Sequence, residues 1–90
     1  MPTVTFTRAL ARHVGALEPL EVDADTLATA LDAAFEAHPV LRSYVLDDQG
    51  NVRQHVQVFI DGRPLPARDQ LDGPVGAGAA IHVLQALSGG

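Results

Sequence analysis

The chain has 90 residues, of which 47% are hydrophobic and 19% charged, a composition that indicates one small folded domain and excludes a disordered segment. Its 11 acidic residues outnumber its 6 basic ones, giving a net charge of -5 that argues against a nucleic acid partner. Because the chain has no cysteine, we expect neither disulfides nor thiolate metal sites. It shows no basic leader and no long apolar run, so we expect neither a signal peptide nor a membrane span. We therefore expect a cytoplasmic protein.

Two short strands are predicted near the start of the chain. In the segment 3–7, TVTFT, apolar and polar residues alternate, so Val4 and Phe6 share one face and the threonines share the other. The segment LEV repeats this pattern with Leu20 and Val22. We therefore expect a hairpin whose wide loop is the intervening segment RALARHVGA.

An amphipathic helix is predicted between Asp23 and Pro39. Either Thr26 or Asp25 can cap its first turn with a side-chain oxygen. Pro39 ends the helix because proline has no N–H and disfavours helical geometry in the residue before it. The apolar residues at helical spacing are Leu27, Ala30, Leu31, Ala34 and Phe35. They predict about three turns with one face in the core.

A short helical turn and a loop are predicted next. The turn covers residues 40–46, with Leu41, Tyr44 and Val45 pointing inward. The segment 47–51, DDQGN, contains residues that tolerate left-handed backbone conformations. Because it lacks the ligand spacing and closing glutamate of a calcium loop, we interpret it as a solvated turn.

A second hairpin is predicted from the strand 52–60, VRQHVQVFI. Asp61 and Gly62 supply the two left-handed positions of a tight turn, and Pro64 with Pro66 marks the following short strand as an edge strand. In the first strand Val56, Val58 and Ile60 share one face, and His55, Gln57 and Phe59 share the other. This hairpin therefore presents one aromatic residue on the face opposite the core.

The last predicted strand is AIHVLQAL. It follows a glycine-rich loop in which Leu71 is expected to be the residue that packs on the core. Ile81 and Val83 share one face of the strand, and His82 and Leu84 share the other. The terminal LSGG is expected to project as a flexible tail.

The element order β, β, α, β, β, β predicts an α+β domain in which one main helix packs on a mixed sheet of four or five strands. In this arrangement the first and last strands lie side by side in the centre of the sheet. The chain then leaves the sheet from its middle. We expect a single domain over residues 1–90, with residues 86–90 as its tail.

These elements carry a resemblance to a known family. The run VQVFIDGRPL, the loop after it and the terminal IHVLQALSGG resemble the MoaD/ThiS family of ubiquitin-like sulfur carriers. The resemblance covers nearly the whole chain, including RALARHVG and DADTLATAL, and its most specific element is Gly89-Gly90. Gln85 stands where relatives often have proline, and GAGAA replaces their acidic-glycine turn. The resemblance implies a β-grasp fold.

The resemblance also implies a reaction at Gly90. Its carboxylate would be adenylated by a ubiquitin-activating-type enzyme that uses ATP, and then converted to a thiocarboxylate with sulfur from a sulfurtransferase or another donor. A sulfur-acceptor enzyme would take the sulfur. Gly89 and Gly90 suit this chemistry because a residue without Cβ can enter a narrow channel. The chain would be a carrier that binds no cofactor itself, or the small subunit of a molybdopterin synthase-like enzyme.

A partner-binding surface is predicted on the sheet face opposite the helix. If the alternation holds, Phe59, His82 and Leu84 lie there together and form the apolar centre that an interface needs. Leu87 and Ser88 in the tail are expected to extend the same contact.

Other sites are disfavoured. The four histidines have no metal-ligand spacing: His13, His38, His55 and His82. The segment GPVGAGAA lacks the Lys-Ser/Thr pair of a phosphate-binding loop. A catalytic triad is also disfavoured, because Ser88 lies on the predicted tail, where nothing would hold its hydroxyl against a base. The chain also contains no lysine, so only the Met1 amine can accept an acyl group.

Several functions remain open from the sequence. The main alternative to a sulfur carrier is a ubiquitin-like modifier that is conjugated through Gly90 to lysines of target proteins, and a noncatalytic interaction module is a third. Among carriers, the long insertion VLRSYVLDDQGNVRQ favours a molybdopterin or cysteine pathway over thiamine. Thiolation of tRNA and secondary metabolism stay open.

Overall fold

A computed structural model describes residues 1–7, 10 and 18–85. Within them the chain forms five strands and two helices: β1 (Thr3–Phe6), β2 (Leu20–Glu21), α1 (Leu27–Ala37), α2 (Val40–Val45), β3 (Val56–Ile60), β4 (Arg63–Pro64) and β5 (Ala80–Gln85). The strand order in the sheet is β2-β1-β5-β3-β4. The mixed sheet with a helix packed on it confirms the predicted fold class. The predicted tail, residues 86–90, lies outside the described residues.

The centre of the sheet is the parallel pair β1 and β5. Val4 lies opposite Ile81 and Phe6 opposite Val83, as the element order predicted. The other three pairings are antiparallel, with β2 beside β1 and β4 beside β3 at the edges. The proline-containing strand is therefore an edge strand, where a missing N–H breaks no ladder.

Helix α1 covers one face of this sheet. All five of its predicted core residues are buried: Leu27, Ala30, Leu31, Ala34 and Phe35. The inward residues of the strands lie in the same cluster, including Val4, Val58, Ile81 and Val83. The helical and strand periods thus bring two apolar faces together, and their burial is the main stabilising term of the fold.

The first turn of α1 has its backbone donors satisfied from two sources. Thr26, the N-cap, accepts a hydrogen bond at Oγ1 from the Thr29 N–H at 3.2 Å. The N–H groups of the two residues before Thr29 donate hydrogen bonds to carbonyls of the loop before β5. The Ala28 N–H donates to the Leu71 carbonyl at 2.7 Å, and the Leu27 N–H donates to the Gly73 carbonyl at 3.0 Å. The glycine-containing loop is therefore held against the helix start, and Leu71 packs against the core as predicted.

The tight turn between β3 and β4 has the predicted geometry. Asp61 and Gly62 have φ values of 52° and 83°. The Asp61 carboxylate also accepts a hydrogen bond from the Ala80 N–H at 2.9 Å. The turn is thus fixed to the start of β5.

Two predictions about the segment between α1 and β3 are wrong. The strand predicted from residue 52 begins at Val56, because Val52 pairs with Leu46 in an isolated bridge and the chain turns before it enters the sheet. Tyr44, predicted inward, is 37% exposed. Leu41 and Val45, one helical turn apart, already form the buried stripe of α2, and this six-residue helix has no second buried face.

Candidate partner-binding face and carboxyl-terminal tail

The open face of the sheet brings together three predicted partner-binding residues. Phe59 of β3 lies directly opposite His82 of β5, and Leu84 lies two residues further along β5, opposite Gln57. Side chains on directly opposite residues of an antiparallel pair are in contact range. His82 is exposed, whereas Phe59 and Leu84 are half-buried. The three residues form one continuous surface, which we call the open-face patch.

Neighbours that the sequence did not single out complete the patch. Thr5 of β1 lies opposite His82 on the other side of β5, and Pro64 of the edge strand lies opposite Phe59. Alternation alone placed Thr5 on the polar face, but only the parallel pairing of β1 with β5 brings it beside His82. The patch therefore has an apolar side on β3 and β4 and a hydroxyl-bearing side on β1.

Among the described strand residues, Glu21 is the one whose carboxylate lies on the open face, and it pairs with Thr3 at the far edge of the sheet. The open-face patch itself contains no carboxylate. Burial of such a surface against a partner would avoid the high cost of desolvating an unpaired charge.

The described part of the chain ends with the central strand β5. Gln85, the last residue of β5, pairs with Val56 on one side, and its N–H donates a hydrogen bond to Thr7 Oγ1 at 3.5 Å on the other. The predicted reacting residues Gly89 and Gly90, and the predicted contact residues Leu87 and Ser88, lie outside the described residues.

A structured turn covers residues 47–51. The Asp47 carboxylate accepts hydrogen bonds from the backbone N–H groups of Gln49 at 2.9 Å and Asn51 at 3.0 Å. The bond from Asn51 has the largest effect on the pKa of Asp47 and lowers it. Desolvation, the next largest effect, opposes this, and the bond from Gln49 with the charges of Arg53 and Arg68 keeps the pKa below its ordinary value of 3.8. This carboxylate organises its own turn, which is the role predicted for DDQGN.

The described residues contain neither a candidate metal site nor a helix that could cross a membrane. In residues 1–7, 10 and 18–85, no group of three histidine, cysteine, aspartate or glutamate side chains could hold a metal ion. His38, His55 and His82 lie in that part of the chain, and His13 lies outside it. Over the same part, no helix has the length and apolar character needed to cross a membrane.

Comparison with known proteins places the chain in a family. No family model and no curated protein sequence matches it. Among solved structures, SAMP1 from Haloferax volcanii is 31% identical with a TM-score of 0.79, over 99% of this chain and 98% of that chain. The chain belongs to the MoaD/ThiS family of ubiquitin-like sulfur carriers and modifiers. This confirms the resemblance drawn from the sequence.

Two further structures are similar to the chain. A second structure of the Haloferax volcanii small archaeal modifier protein 1 is 28% identical with a TM-score of 0.76, covering 96% of this chain and 97% of that one. In the Amycolatopsis orientalis BexX/CysO complex the matching chain is 19% identical with a TM-score of 0.85, and both chains are covered completely. That similarity shows the shared β-grasp fold alone. The general role of this family, that of a small ubiquitin-like sulfur carrier protein, applies to the chain.

Proposed function

We propose that this MoaD/ThiS-family protein carries sulfur as a thiocarboxylate on Gly90. The observation that carries the proposal is the placement of β5. This strand is hydrogen-bonded on both sides in the centre of the sheet and contributes His82 and Leu84 to the open-face patch. In the sequence it is followed by ALSGG, residues 86–90. One strand thus carries part of the proposed partner-binding face and comes five residues before the proposed reacting group.

The proposed chemistry has two steps. On a ubiquitin-activating-type enzyme, a carboxylate oxygen of Gly90 attacks the α-phosphate of ATP, forming the acyl adenylate and releasing pyrophosphate. Hydrosulfide, supplied directly by a donor or released by a thiol reductant from the persulfide of a sulfurtransferase, then attacks the Gly90 carbonyl carbon. The C–S bond forms, the C–O bond to AMP breaks, and the thiocarboxylate remains after loss of a proton. ATP binds to the enzyme, and the carrier itself holds no cofactor.

The open-face patch is proposed to supply the affinity for the activating enzyme. Fixing each residue of the tail in a channel costs about 1–2 kcal/mol of conformational entropy, so the tail is a poor source of binding energy. Phe59, His82 and Leu84 are already held in place by the sheet. Leu87 and Ser88 would add contacts near the channel. Gly89 and Gly90 would pass through it because they present no Cβ.

An acceptor enzyme is the second proposed partner. In the similar BexX/CysO complex, CysO is bound to BexX. We propose that this chain likewise binds an enzyme of a molybdopterin-like or cysteine-like pathway, which takes the sulfur while water restores the Gly90 carboxylate.

Protein modification is the alternative function. The 28% identical chain from Haloferax volcanii is named a small archaeal modifier protein. In this role the acyl adenylate would be attacked by the ε-amine of a lysine on a target protein, leaving an amide at Gly90.

The test is the intact mass of the purified chain after incubation with ATP, an activating enzyme and sulfide. We expect a mass gain equal to the replacement of one oxygen by sulfur. A chain lacking Gly90 should show none, whereas Gly76→Ala, where a Cβ meets no atom within 4 Å, should behave as wild type. Pyrophosphate release without any mass gain would contradict the carrier role, and amide-linked adducts on lysines of other proteins would favour the modifier.

A further inference from the structure

The short edge strand leaves a pocket beside β3. Strand β4 has two residues, whereas β3 covers Val56–Ile60, so β4 pairs with only part of the outer edge of β3. The Leu65 N–H donates a hydrogen bond to the Val58 carbonyl at 2.8 Å, and Pro66 has no N–H with which to continue the ladder. A pocket with a volume of about 200 Å³ lies at this end of the edge strand.

The pocket combines buried valines with one cation. Val52, Val56 and Val58 belong to its lining, and all three are buried. Among the described lining residues, Arg68 is the one with a charged side chain. The other lining residues are Gln54, Gln57, Pro64 and Leu65. A ligand that fits this lining has an aliphatic stem for the valines and a carboxylate for the guanidinium, which can bind a carboxylate through two parallel hydrogen bonds.

Arg68 is held in place by its backbone, while its guanidinium keeps donors for a ligand. The Arg68 carbonyl accepts a hydrogen bond from the Val52 N–H at 3.0 Å, which fixes the residue to the pocket lining. Among the described residues, the ion pair within 4 Å joins Arg42 to Asp32, so no described carboxylate lies that close to the Arg68 guanidinium. The Asp47 carboxylate feels the charge of Arg68 at longer range and accepts hydrogen bonds from backbone N–H groups instead. With five N–H donors, the guanidinium can therefore bind a carboxylate from outside the chain.

The pocket adjoins the open-face patch. Pro64, which lies opposite Phe59, and Gln57, which lies opposite Leu84, both line the pocket. Directly opposite residues of an antiparallel pair lie on the same face of the sheet, so the pocket opens beside the apolar side of the patch. A partner that covers the patch would therefore also reach the pocket. Side chains that enter pockets beside an apolar interface centre often supply much of the binding energy.

We propose that the pocket at the end of β4 receives a glutamate side chain of the activating enzyme that covers the open-face patch. The carboxylate pairs with Arg68, and the methylene groups of the glutamate contact the buried valines. This inference rests on the proposed binding of the activating enzyme to the patch. Because the chain carries a net charge of -5, an acidic group is accepted at few places on its surface, and this contact would fix the orientation of the complex.

The first test uses butyrate, which reproduces a glutamate side chain from Cα outwards and requires no partner protein. The ¹⁵N-labelled chain is titrated with butyrate or butyramide at about pH 7, where the carboxyl group is ionised, and the amide chemical shifts are followed. We expect butyrate to shift the amides of Val56, Val58 and Leu65, and uncharged butyramide to shift them much less. Arg68→Gln should lower the affinity for butyrate about tenfold or more. Arg42→Gln removes an arginine that does not line the pocket and should bind butyrate as wild type.

The second test measures binding of the activating enzyme by isothermal titration. Arg68→Gln should bind about tenfold more weakly than wild type, and Arg68→Lys should lie between them because it keeps the charge without the planar fork. Butyrate binding that survives Arg68→Gln, equal shifts with butyramide, or wild-type affinity of Arg68→Gln for the enzyme would each overturn the proposal. Butyrate binding does not involve Gly90, so an intact butyrate response without a mass gain in the sulfur experiment would overturn the carrier role alone.

Discussion

The two faces of the sheet are made from the same strands but have opposite roles. On β5, Ile81 and Val83 are fully buried under the helices, whereas the intervening His82 is exposed and Leu84 is half-buried. On β3, Val58 is buried and its neighbour Phe59 is half-buried. Apolar residues on the covered face stabilise the fold. Those on the open face are less buried, and we propose that they bind a partner.

The covered face should be the more sensitive to truncation. Ile81→Ala removes a fully buried side chain, and we expect a loss of about 2–5 kcal/mol in the free energy of unfolding. His82→Ala, the adjacent residue on the open face, should change it by less than about 0.5 kcal/mol. Urea unfolding measures both. Equal losses for the two variants would break the distinction between the faces.

The open face should be the more sensitive to charge when binding is measured. Phe59→Arg is expected to weaken binding to the activating enzyme about tenfold or more, because a charge would be placed at an apolar interface centre. Its free energy of unfolding should change by about 1 kcal/mol or less. Gln49→Arg adds the same charge to the distant turn and should bind as wild type. Isothermal titration gives the affinities, and wild-type affinity of Phe59→Arg would remove the patch from the binding surface.

Loss of the helix cap should affect the covered face alone. Thr26→Ala removes the Oγ1 acceptor of the Thr29 N–H, and we expect a loss of about 1 kcal/mol in stability. Thr26→Ser keeps the hydroxyl and should retain most of that stability. Both variants should bind the activating enzyme with wild-type affinity once folded. Weaker binding by folded Thr26→Ala would mean that the two faces are coupled.

The smallest effect is expected at the turn beyond the two faces. The pKa of Asp47 is lowered in the folded state, so its ionised form favours folding, and this contribution is present above pH 3.8. It is lost as the pH falls through the lowered value. Asp47→Asn should therefore reduce the melting temperature slightly near neutral pH and match wild type at about pH 2. A difference that does not change with pH would assign the effect to something other than charge.

Local patterns predicted much of this protein. The five core residues of α1, the alternation in β1, β3 and β5, and the left-handed pair Asp61-Gly62 all follow from short-range periodicity and turn chemistry. The errors fell where a pairing or a choice of buried face was not visible in the periodicity. Val52 alternates as a strand residue would, yet its pairing with Leu46 removes it from the sheet. Tyr44 fits the helical period of the apolar residues, but α2 buries one stripe, which is formed by Leu41 and Val45.

The sequence by itself determined which residues of each element are apolar, where the elements begin and end to within a few residues, and that the chain ends in two glycines without a lysine before them. Tertiary structure alone decided which strands are neighbours. That choice places Thr5 and Phe59 on either side of His82, and sets Met1 and the end of β5 at opposite ends of the sheet. The physical reason is that strand alternation fixes only the face of a side chain, whereas its neighbours depend on hydrogen bonding between segments far apart in the chain.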